Sequence, residues 1–244
     1  MTVSRGRAGG DARESSWVFT CEHGGCAVPR EYGTLGLARA DLRDHIGWDV
    51  GAAAVMKAVA EQLGAPSVAS KYSRLLVDCN RTPDEASLIP QRSDGRMIPA
   101  NAKVTKVERR RRLALYHEPY HDRVDRMVAR ARREADGRTV RLLSLHSFTP
   151  AMDGRTRRLD MGVLFDDHEP LARGLGLALK GRGFIVRYNQ PYSGLDGLIY
   201  AARRHGRAHG IGYVELEINN ALIRTDEACR SVAAELAAAL DALD

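Results

Sequence analysis

Apolar residues along the chain follow two different periods, which predicts strands that alternate with helices. Short apolar runs such as SWVFT at 16–20 and RLLSL at 141–145 predict buried strands. Apolar residues three or four positions apart, as at Val55, Val59 and Leu63, predict helices. The same criteria predict further strands at 75–77, 161–167, 184–189 and 212–218, and helices at 48–64, 106–135, 169–183, 198–210 and from Thr225 or Asp226 onwards.

This alternation predicts an α/β fold with a mostly parallel central sheet and helices on both faces. No repeat or linker divides the chain, so a single domain is predicted from 16 to 244. Residues 1–15 are polar and rich in Gly and Arg, which predicts a flexible leader and not a signal peptide. Without a signal peptide or an apolar run of roughly 20 residues, the expected location is the cytoplasm, away from membranes.

The segment 82–104 is rich in proline and has no hydrophobic period, although it is long for a loop. Segments of this kind commonly carry a function. We expect either a lid over a site or a contact between the subunits of a homo-oligomer.

Composition and charge narrow the class of protein. The four cysteines form no C-x-x-C pairs, so free buried thiols are expected at Cys21, Cys26, Cys79 and Cys229. The net charge of +6 comes largely from arginines at 108–112 and 129–141, where apolar residues at helical spacing predict solvated helix faces. Aromatic residues are scarce on these basic segments, which argues against nucleic acid as a partner. An anionic small substrate fits the charge equally well.

The segment HEPYH at 117–121 matches the H-E-x-x-H pattern of zinc proteases. That pattern requires an unbroken helix, but Pro119 cannot donate a hydrogen bond to the carbonyl of Leu115. The helix is therefore expected to kink or to begin at Pro119. We expect the metal elsewhere.

Polar side chains at the ends of three predicted strands offer a better metal site. His23 follows the first strand and His146 ends another, while Glu215 and Glu217 share one face of the last. Asp49, the expected N-cap of the first helix, adds a carboxylate. Ligands of open α/β sheets bind beyond the carboxyl ends of the strands. Two histidines and one carboxylate form a hydrolytic zinc arrangement, with a glutamate as base or further ligand.

Seven motifs resemble the N-formylglutamate amidohydrolase family. They occur in the family's order over most of the chain after residue 16. The family is similar to zinc carboxypeptidases and aspartoacylases, and more remotely to peptidoglycan amidases. The resemblance implies their phosphorylase/hydrolase-like α/β fold with one hydrolytic zinc ion. The motifs are CEHGGCAVP at 21–29, HIGWDVGA at 45–52, YSRLLVDCNR at 72–81, PYH at 119–121, LHSFTP at 145–150, NQPYSG at 189–194 and ELEINNALI at 215–223.

The resemblance implies that His23 and His146 are the histidine ligands of the zinc ion. The aspartoacylase pattern has its glutamate ligand three residues after the first histidine, where this chain has Cys26. Asp49 is therefore the expected third ligand, and Glu22 is the alternative.

The resemblance also implies how a substrate carboxylate is held. Asn80 and Arg81 match the pair that binds this group in aspartoacylase-like relatives. A guanidinium group suits a carboxylate because it can donate two parallel hydrogen bonds. The alternative is a structural ion pair of Arg81 with Asp78 or Asp84.

The remaining roles concern the reaction itself. The resemblance implies that Glu217, or alternatively Glu215, is the general base that activates water and then protonates the leaving amine. Arg74 would polarise the scissile carbonyl or stabilise the oxyanion. His121 and Tyr192 are expected to line the substrate pocket, although structural roles are an equal alternative.

The expected function is zinc-dependent hydrolysis of the amide in a small anionic N-acyl amino acid, as part of amino-acid metabolism. The family's named substrate is N-formyl-L-glutamate, which yields formate and L-glutamate. The segment CEHGG differs from the PHSG form associated with the histidine-degradation enzyme, so the acyl group and amino acid stay open. The alternatives are an aspartoacylase-like or peptidoglycan amidase-like zinc hydrolase and a nucleic-acid-binding module built on the Arg-rich helices.

Overall fold

The computed structural model describes residues 15–152 and 154–243. Of the predicted leader at 1–15, only Ser15 lies within the described residues, where it begins the first strand. The strands are β1 (Ser15–Cys21), β2 (Ser67–Ala69), β3 (Arg92–Ser93), β4 (Arg96–Met97), β5 (Thr139–Phe148), β6 (Ala151–Met152), β7 (Arg155–Thr156), β8 (Met161–Leu164), β9 (Val186–Tyr188) and β10 (Gly212–Asn219). The helices are α1 (Arg39–Leu42), α2 (Ala52–Leu63), α3 (Lys106–Arg112), α4 (Glu118–Glu134), α5 (Glu169–Gly181), α6 (Tyr200–His209) and α7 (Asp226–Asp241).

A six-stranded sheet in the order β2-β1-β5-β10-β8-β9 forms the centre of the molecule. The first four strands in this order are mutually parallel, and β8 runs antiparallel to β10. Helices α2, α5 and α7 pack on one face and α4 and α6 on the other. The predicted α/β fold with a mostly parallel sheet is therefore confirmed.

The predicted strand at 75–77 is wrong. These residues lie in a turn in which the Leu76 amide donates to the Ser73 carbonyl, and the edge strand is β2 instead. Leu75, Leu76 and Val77 are all buried in a separate apolar cluster. An apolar run can thus be fully buried without joining a sheet, so its hydrophobicity alone did not identify a strand.

The sheet face under α4 and α6 changes from apolar to polar toward the carboxyl ends of its strands. Every second residue of β1, β5 and β10 lies on this face. Apolar residues pack under the helices, and polar residues follow at the carboxyl edge. In order along the strands, Val18, Leu142 and Tyr213 are followed by Thr20, Ser144 and Glu215, and then by Glu22, His146 and Glu217.

Residues 106–134 form one continuous helical run in which a π-helical turn, Leu113–His117, separates α3 from α4. The Glu118 amide donates to the Leu113 carbonyl, which closes the wider turn. Pro119 lies in the first turn of α4, as predicted. A proline is tolerated there because its missing N–H group is not required.

The arginine run at 109–112 differs from the prediction of a solvated face. Arg112 is buried, and its guanidinium donates to the Leu76 carbonyl and the Asn101 side chain. Arg109 donates to the carbonyls of Pro83 and Glu85. Part of this positive charge therefore holds the 82–104 segment against the body of the protein.

The N-termini of α2 and α7 are capped in different ways. Asp49 is not the N-cap of α2, because Gly51 occupies that position with φ 83°, and no side chain caps this helix end. A Cβ atom at Gly51 would lie 2.4 Å from the Ile223 carbonyl oxygen, which favours glycine. The Thr225 hydroxyl caps α7, as predicted.

All four cysteines are free, and three of them are buried, whereas Cys26 is partly exposed. Among the described residues, no helix has the length and apolar character needed to span a membrane.

Candidate active site

A cavity of about 220 Å³ opens at the carboxyl edge of the parallel strands. Ser93 and Asp94, from the β3–β4 hairpin of the 82–104 segment, form part of its wall. Most of the residues predicted from the sequence line this cavity, which brings together positions that are far apart in the chain. They are His23, Asp49, Arg74, Asn80, Arg81, His146, Tyr192, Glu215 and Glu217.

Three potential ligand atoms meet on one wall of the cavity. His146 Nδ1 lies 2.8 Å from Asp49 Oδ2 and 3.1 Å from His23 Nδ1, and His23 Nδ1 lies 3.4 Å from Asp49 Oδ2. All three side chains are buried. The Asp49 amide donates to the His23 carbonyl, and the Ser147 amide donates to Asp49 Oδ2, so the backbone fixes the carboxylate.

A carboxylate lies behind each of these imidazoles. His23 Nε2 is 2.6 Å from Asp78 Oδ1, and His146 Nε2 is 2.8 Å from Glu22 Oε2. An ionised carboxylate only accepts hydrogen bonds, so both Nε2 atoms carry a proton, and the Nδ1 atoms are the ring nitrogens that face Asp49 and each other. This carboxylate–histidine arrangement is typical of metal ligands in proteins. The sequence reasoning missed Asp78 in this role and considered it only as a partner of Arg81.

Glu22 lies behind His146 and does not line the cavity. Its carboxylate also accepts from the Ser144 hydroxyl at 2.5 Å and the Tyr120 hydroxyl at 2.6 Å. Burial alone would raise the pKa of Glu22, but the hydrogen bonds from His146, Ser144 and Tyr120 hold it well below its usual range. Glu22 is therefore an ionised partner of His146 and contributes no donor atom to the cavity wall.

The site is rich in buried acidic side chains. All five buried acidic side chains among the described residues lie in this network: Glu22, Asp49, Asp78, Glu215 and Glu217. Burial alone would lower the pKa of His146, yet the carboxylates of Glu215, Asp49 and Glu22 raise it well above its usual value. The surroundings thus favour an added positive charge.

The donor set fits zinc. Tetrahedral zinc with bonds of about 2.0–2.1 Å places neighbouring ligand atoms roughly 3.3 Å apart, close to the separations on this wall. A cation bound to the two Nδ1 atoms and Asp49 Oδ2 would replace the proton that His146 Nδ1 otherwise shares with Asp49. A second group, Glu22, His146 and Glu215, also lies close enough to share a metal among the described residues. That group would need His146 Nε2, which already donates its proton to Glu22.

Glu215 and Glu217 differ in how their oxygens are used. Glu215 Oε2 accepts from the Asn80 amide at 3.2 Å. Glu217 Oε2 is buried and has no hydrogen-bond partner among the described residues. Burial raises the pKa of Glu217 to about 7, with the Asp49 charge acting in the same direction. Burial likewise raises the pKa of Glu215 to about 8. Glu217 thus has an uncommitted oxygen and a pKa suited to accepting and returning a proton.

Two arginines line the cavity and differ in their partners. Arg74 donates to Asp78 Oδ2 at 2.9 Å and lies 3.7 Å from Asp49 Oδ1. The Arg81 guanidinium donates to the Asn80 carbonyl at 2.9 Å and has no ion pair among the described residues. The alternative pairing of Arg81 with Asp78 or Asp84 is thus not observed in this part of the chain.

Asn80 uses its side chain within the protein. Its amide nitrogen donates to the Leu198 carbonyl and to Glu215, and its amide oxygen accepts from the Ala201 amide. The side chain therefore ties the turn that carries Arg81 to the start of α6 and to β10.

The structure separates the last two predicted pocket residues. Tyr192 lines the cavity, and its hydroxyl lies 3.4 Å from an Arg157 nitrogen. His121 does not line it, because α4 directs this side chain toward α6, where it is 2% exposed. His121 belongs to a second group of histidines.

The chain is similar to known proteins in sequence and in fold. A family model described as N-formylglutamate amidohydrolase matches residues 15–224. The fold is similar to the crystal structure of gene product Atu2144 from Agrobacterium tumefaciens, with a TM-score of 0.88 and 36% identity over 95% of this chain and 92% of that one. It is also similar to N-formylglutamate amidohydrolase from Ralstonia eutropha JMP134, with a TM-score of 0.70 and 21% identity over 93% and 91% of the two chains. At that identity the second likeness concerns the fold alone. No curated protein matches.

Proposed function

This chain belongs to the N-formylglutamate amidohydrolase family, and on that premise we propose that it is a zinc-dependent hydrolase of a small N-acyl amino acid. The proposed substrate is N-formyl-L-glutamate, whose amide is cleaved to formate and L-glutamate. The observation that carries the proposal is the convergence of two imidazole Nδ1 atoms and a carboxylate in the same cavity as the uncommitted Glu217 oxygen.

His23, Asp49 and His146 would hold the zinc ion through two Nδ1 atoms and one carboxylate oxygen. The metal would supply a Lewis acid that polarises the scissile carbonyl. Asp78 and Glu22 keep the two imidazoles in the required tautomer and orientation, because each accepts the Nε2 proton.

Proton transfer is assigned to Glu217. With a pKa raised to about 7 by burial, its carboxylate can take a proton from the attacking water and return it to the leaving amine. Arg74 lines the same cavity beside Asp49 and would stabilise negative charge on the carbonyl oxygen.

Substrate binding is assigned to Arg81. Its guanidinium lines the cavity without an ion pair among the described residues, so it can donate two hydrogen bonds to a substrate carboxylate. Tyr192 lines the cavity as well and would contact the substrate.

Metal content and product release test the proposal. We expect about one zinc ion per chain in protein purified without chelators. We also expect formate release from N-formyl-L-glutamate to exceed acid release from the N-acetyl and N-succinyl analogues. His146→Ala should lose both zinc and activity, whereas His168→Ala, an exposed control, should keep both.

Two outcomes would count against different parts of the proposal. Protein that binds no zinc after addition of the metal would contradict the cofactor. Faster cleavage of another N-acyl amino acid would retain the hydrolase and replace the substrate.

A further inference from the structure

A second group of histidines lies behind the Asn80–Arg81 turn, between α4 and α6. His117 comes from the π-helical turn, His121 from α4 and His205 from α6. All three are at most 2% exposed. Together with His23 and His146 they are all the buried histidines among the described residues.

The three imidazoles are linked in series between a backbone carbonyl and a carboxylate. His117 Nε2 lies 3.1 Å from the Arg81 carbonyl oxygen and 3.3 Å from His121 Nε2. His121 Nδ1 lies 2.9 Å from His205 Nε2, and His205 Nδ1 lies 2.7 Å from Asp125 Oδ1. Every link is within hydrogen-bonding distance.

The end groups of this series determine where each proton lies. Burial alone would raise the pKa of Asp125, but hydrogen bonds from His205 and His209 lower it, so the carboxylate accepts. His205 Nδ1 must then donate to Asp125, which leaves its Nε2 as an acceptor for His121 Nδ1. By the same reasoning, His121 Nδ1 donates to His205, and His121 Nε2 is left as an acceptor for His117.

His117 Nε2 therefore carries a proton, which it shares between His121 and the Arg81 carbonyl oxygen. The donors of His121 and His205 both point toward Asp125. The single Nε2 proton of His117 serves two acceptors, His121 Nε2 and the Arg81 carbonyl oxygen, when all three imidazoles are neutral.

Burial and nearby charge keep the imidazoles neutral. Burial lowers the pKa of all three histidines, and that of His121 falls to about 2. Arg204 NH1 lies 3.1 Å from both ring nitrogens of His205, so its positive charge opposes protonation further.

Nearby negative groups act to raise the pKa of these histidines, but the pKa of each still lies below its usual value. They are Glu22 facing His121 and His205, Asp78 and Glu118 facing His117, and Asp125 facing His205.

We propose that His117, His121 and His205 are positioning residues: the hydrogen bonds that run from Asp125 through His205 and His121 keep the proton of His117 on Nε2, where it also binds the Arg81 carbonyl and so aims the Arg81 guanidinium into the cavity. Asp125 anchors the chain at the far end. The inference rests on the proposed function, in which Arg81 binds the substrate carboxylate. Asn80 holds the same turn from the other side through Leu198 and Ala201.

A metal site is a weaker explanation of this group. His117 Nε2 and His121 Nε2 are close enough to share an ion, but His117 Nε2 already donates to the Arg81 carbonyl. The two groups of metal-binding type found among the described residues both contain His146 and exclude this series.

Nitrogen NMR of the imidazoles tests the proton assignment without any substrate. In protein labelled with ¹⁵N-histidine, we expect His121 and His205 in the Nδ1–H form and His117 in the Nε2–H form. His121 should stay neutral when the pH is lowered to about 5.5. An Nε2–H form at His121, or a charged His121 at neutral pH, would overturn the chain.

Paired variants of His117 test its effect on Arg81. His117→Phe keeps a ring but removes the donor to the Arg81 carbonyl, and His117→Gln restores an N–H at nearly the same place. We expect the KM for N-formyl-L-glutamate to rise about tenfold in His117→Phe, with kcat nearly unchanged, and to recover in His117→Gln. A purely structural role would lower the melting temperature of both variants without this contrast in KM.

The ¹³C shift of the Arg81 carbonyl supplies a readout that needs no activity. It should move in His117→Phe and return in His117→Gln, because it reports the hydrogen bond directly. Equal shifts in all three proteins would overturn the positioning role. Inactivity of the wild-type protein toward N-formyl-L-glutamate, with the expected carbonyl shifts, would instead count against the proposed substrate.

Discussion

The two buried histidine groups of this protein contain the same type of side chain but have opposite hydrogen-bond patterns. In the group of metal-binding type, His23, Asp49 and His146, which we call the metal-type group, the two histidines donate outward to carboxylates, and their Nδ1 atoms converge on Asp49. In the second group, each donor meets the acceptor of the next residue. The direction of the N–H groups, and not the number of histidines, therefore distinguishes the candidate metal site from the second group.

Their charge preferences differ in the same way. Burial acts on both groups, yet the pKa of His146 lies well above its usual value, whereas that of His121 falls to about 2. The carboxylates of Glu215, Asp49 and Glu22 surround His146. His121 faces His117, His205 and the Arg204 charge, with Glu22 as the opposing influence. One group therefore favours a cation, and the other excludes it.

The largest expected effect separates the two glutamates beside the metal-type group. Glu217→Gln removes the proposed base and should lower kcat about a thousandfold. Glu215→Gln should cost far less, because a pKa of about 8 leaves Glu215 mostly protonated at neutral pH, where glutamine resembles it. Formate release by both variants, with zinc content as the control, measures the difference. A larger loss in Glu215→Gln would reverse the assignment of the base.

The carboxylates behind the histidines provide the next test. Asp78→Asn weakens the acceptor of His23 and should reduce zinc affinity about 10- to 100-fold. Asp125→Asn makes the matched change behind His205 and should leave zinc affinity unchanged. Competition with a chromogenic chelator measures both. Equal losses of zinc affinity in both variants would mean that the two histidine groups are coupled. That result would contradict the contrast between them.

The smallest expected effect concerns pH and stability. The pKa of His121 is about 2 in the folded state, below its usual value of 6.5, so the unfolded state binds more protons between these values. The free energy of unfolding should therefore fall as the pH drops below 6.5. Between pH 7.5 and 5.5 the contribution of His121 should amount to about 1 kcal/mol. His121→Leu should lose less stability over this interval than the wild type by that amount.

A buried apolar variant on the same helix controls for general destabilisation. Val124→Ala creates a cavity on α4 and should lower the free energy of unfolding by a similar amount at both pH values. Urea unfolding at pH 7.5 and 5.5 measures all three proteins. The titration of His121 would be excluded as the cause if the variant and the wild type lost the same stability on acidification.

The sequence predicted the sheet and most of the candidate site because both depend on local signals. Strands and helices follow hydrophobic periodicity, and His146 and Glu217 lie where apolar strands become polar at the carboxyl edge of the sheet. The segment at 75–77 shows the limit of this approach, since its apolar run is buried in a cluster outside the sheet. Periodicity reports burial and does not report backbone pairing.

Contacts between distant segments could not be predicted. Asp78 accepts from His23 across 55 residues, and nothing in the local pattern distinguishes this from a surface ion pair. His121 was placed in the pocket because its motif resembles the family's. It contacts His205, which lies 84 residues further along the chain, and only the packing of α4 against α6 reveals this contact. Of the two expectations for Asp49, the helix cap is wrong, whereas its carboxylate does lie beside His146 and His23.

The π-helical turn between α3 and α4 changes the direction in which side chains project from this continuous helix. An α-helix advances about 100° per residue, and a wider turn delays the residues that follow by a fraction of a revolution. Arg109 and Arg112, before the turn, therefore hold the 82–104 segment and its surroundings, while His117 reaches the Arg81 carbonyl. Removal of one residue from 113–117 would rotate the two arginines relative to His117. A change in this turn would therefore alter the contacts of the 82–104 segment and the contact with the Arg81 carbonyl together.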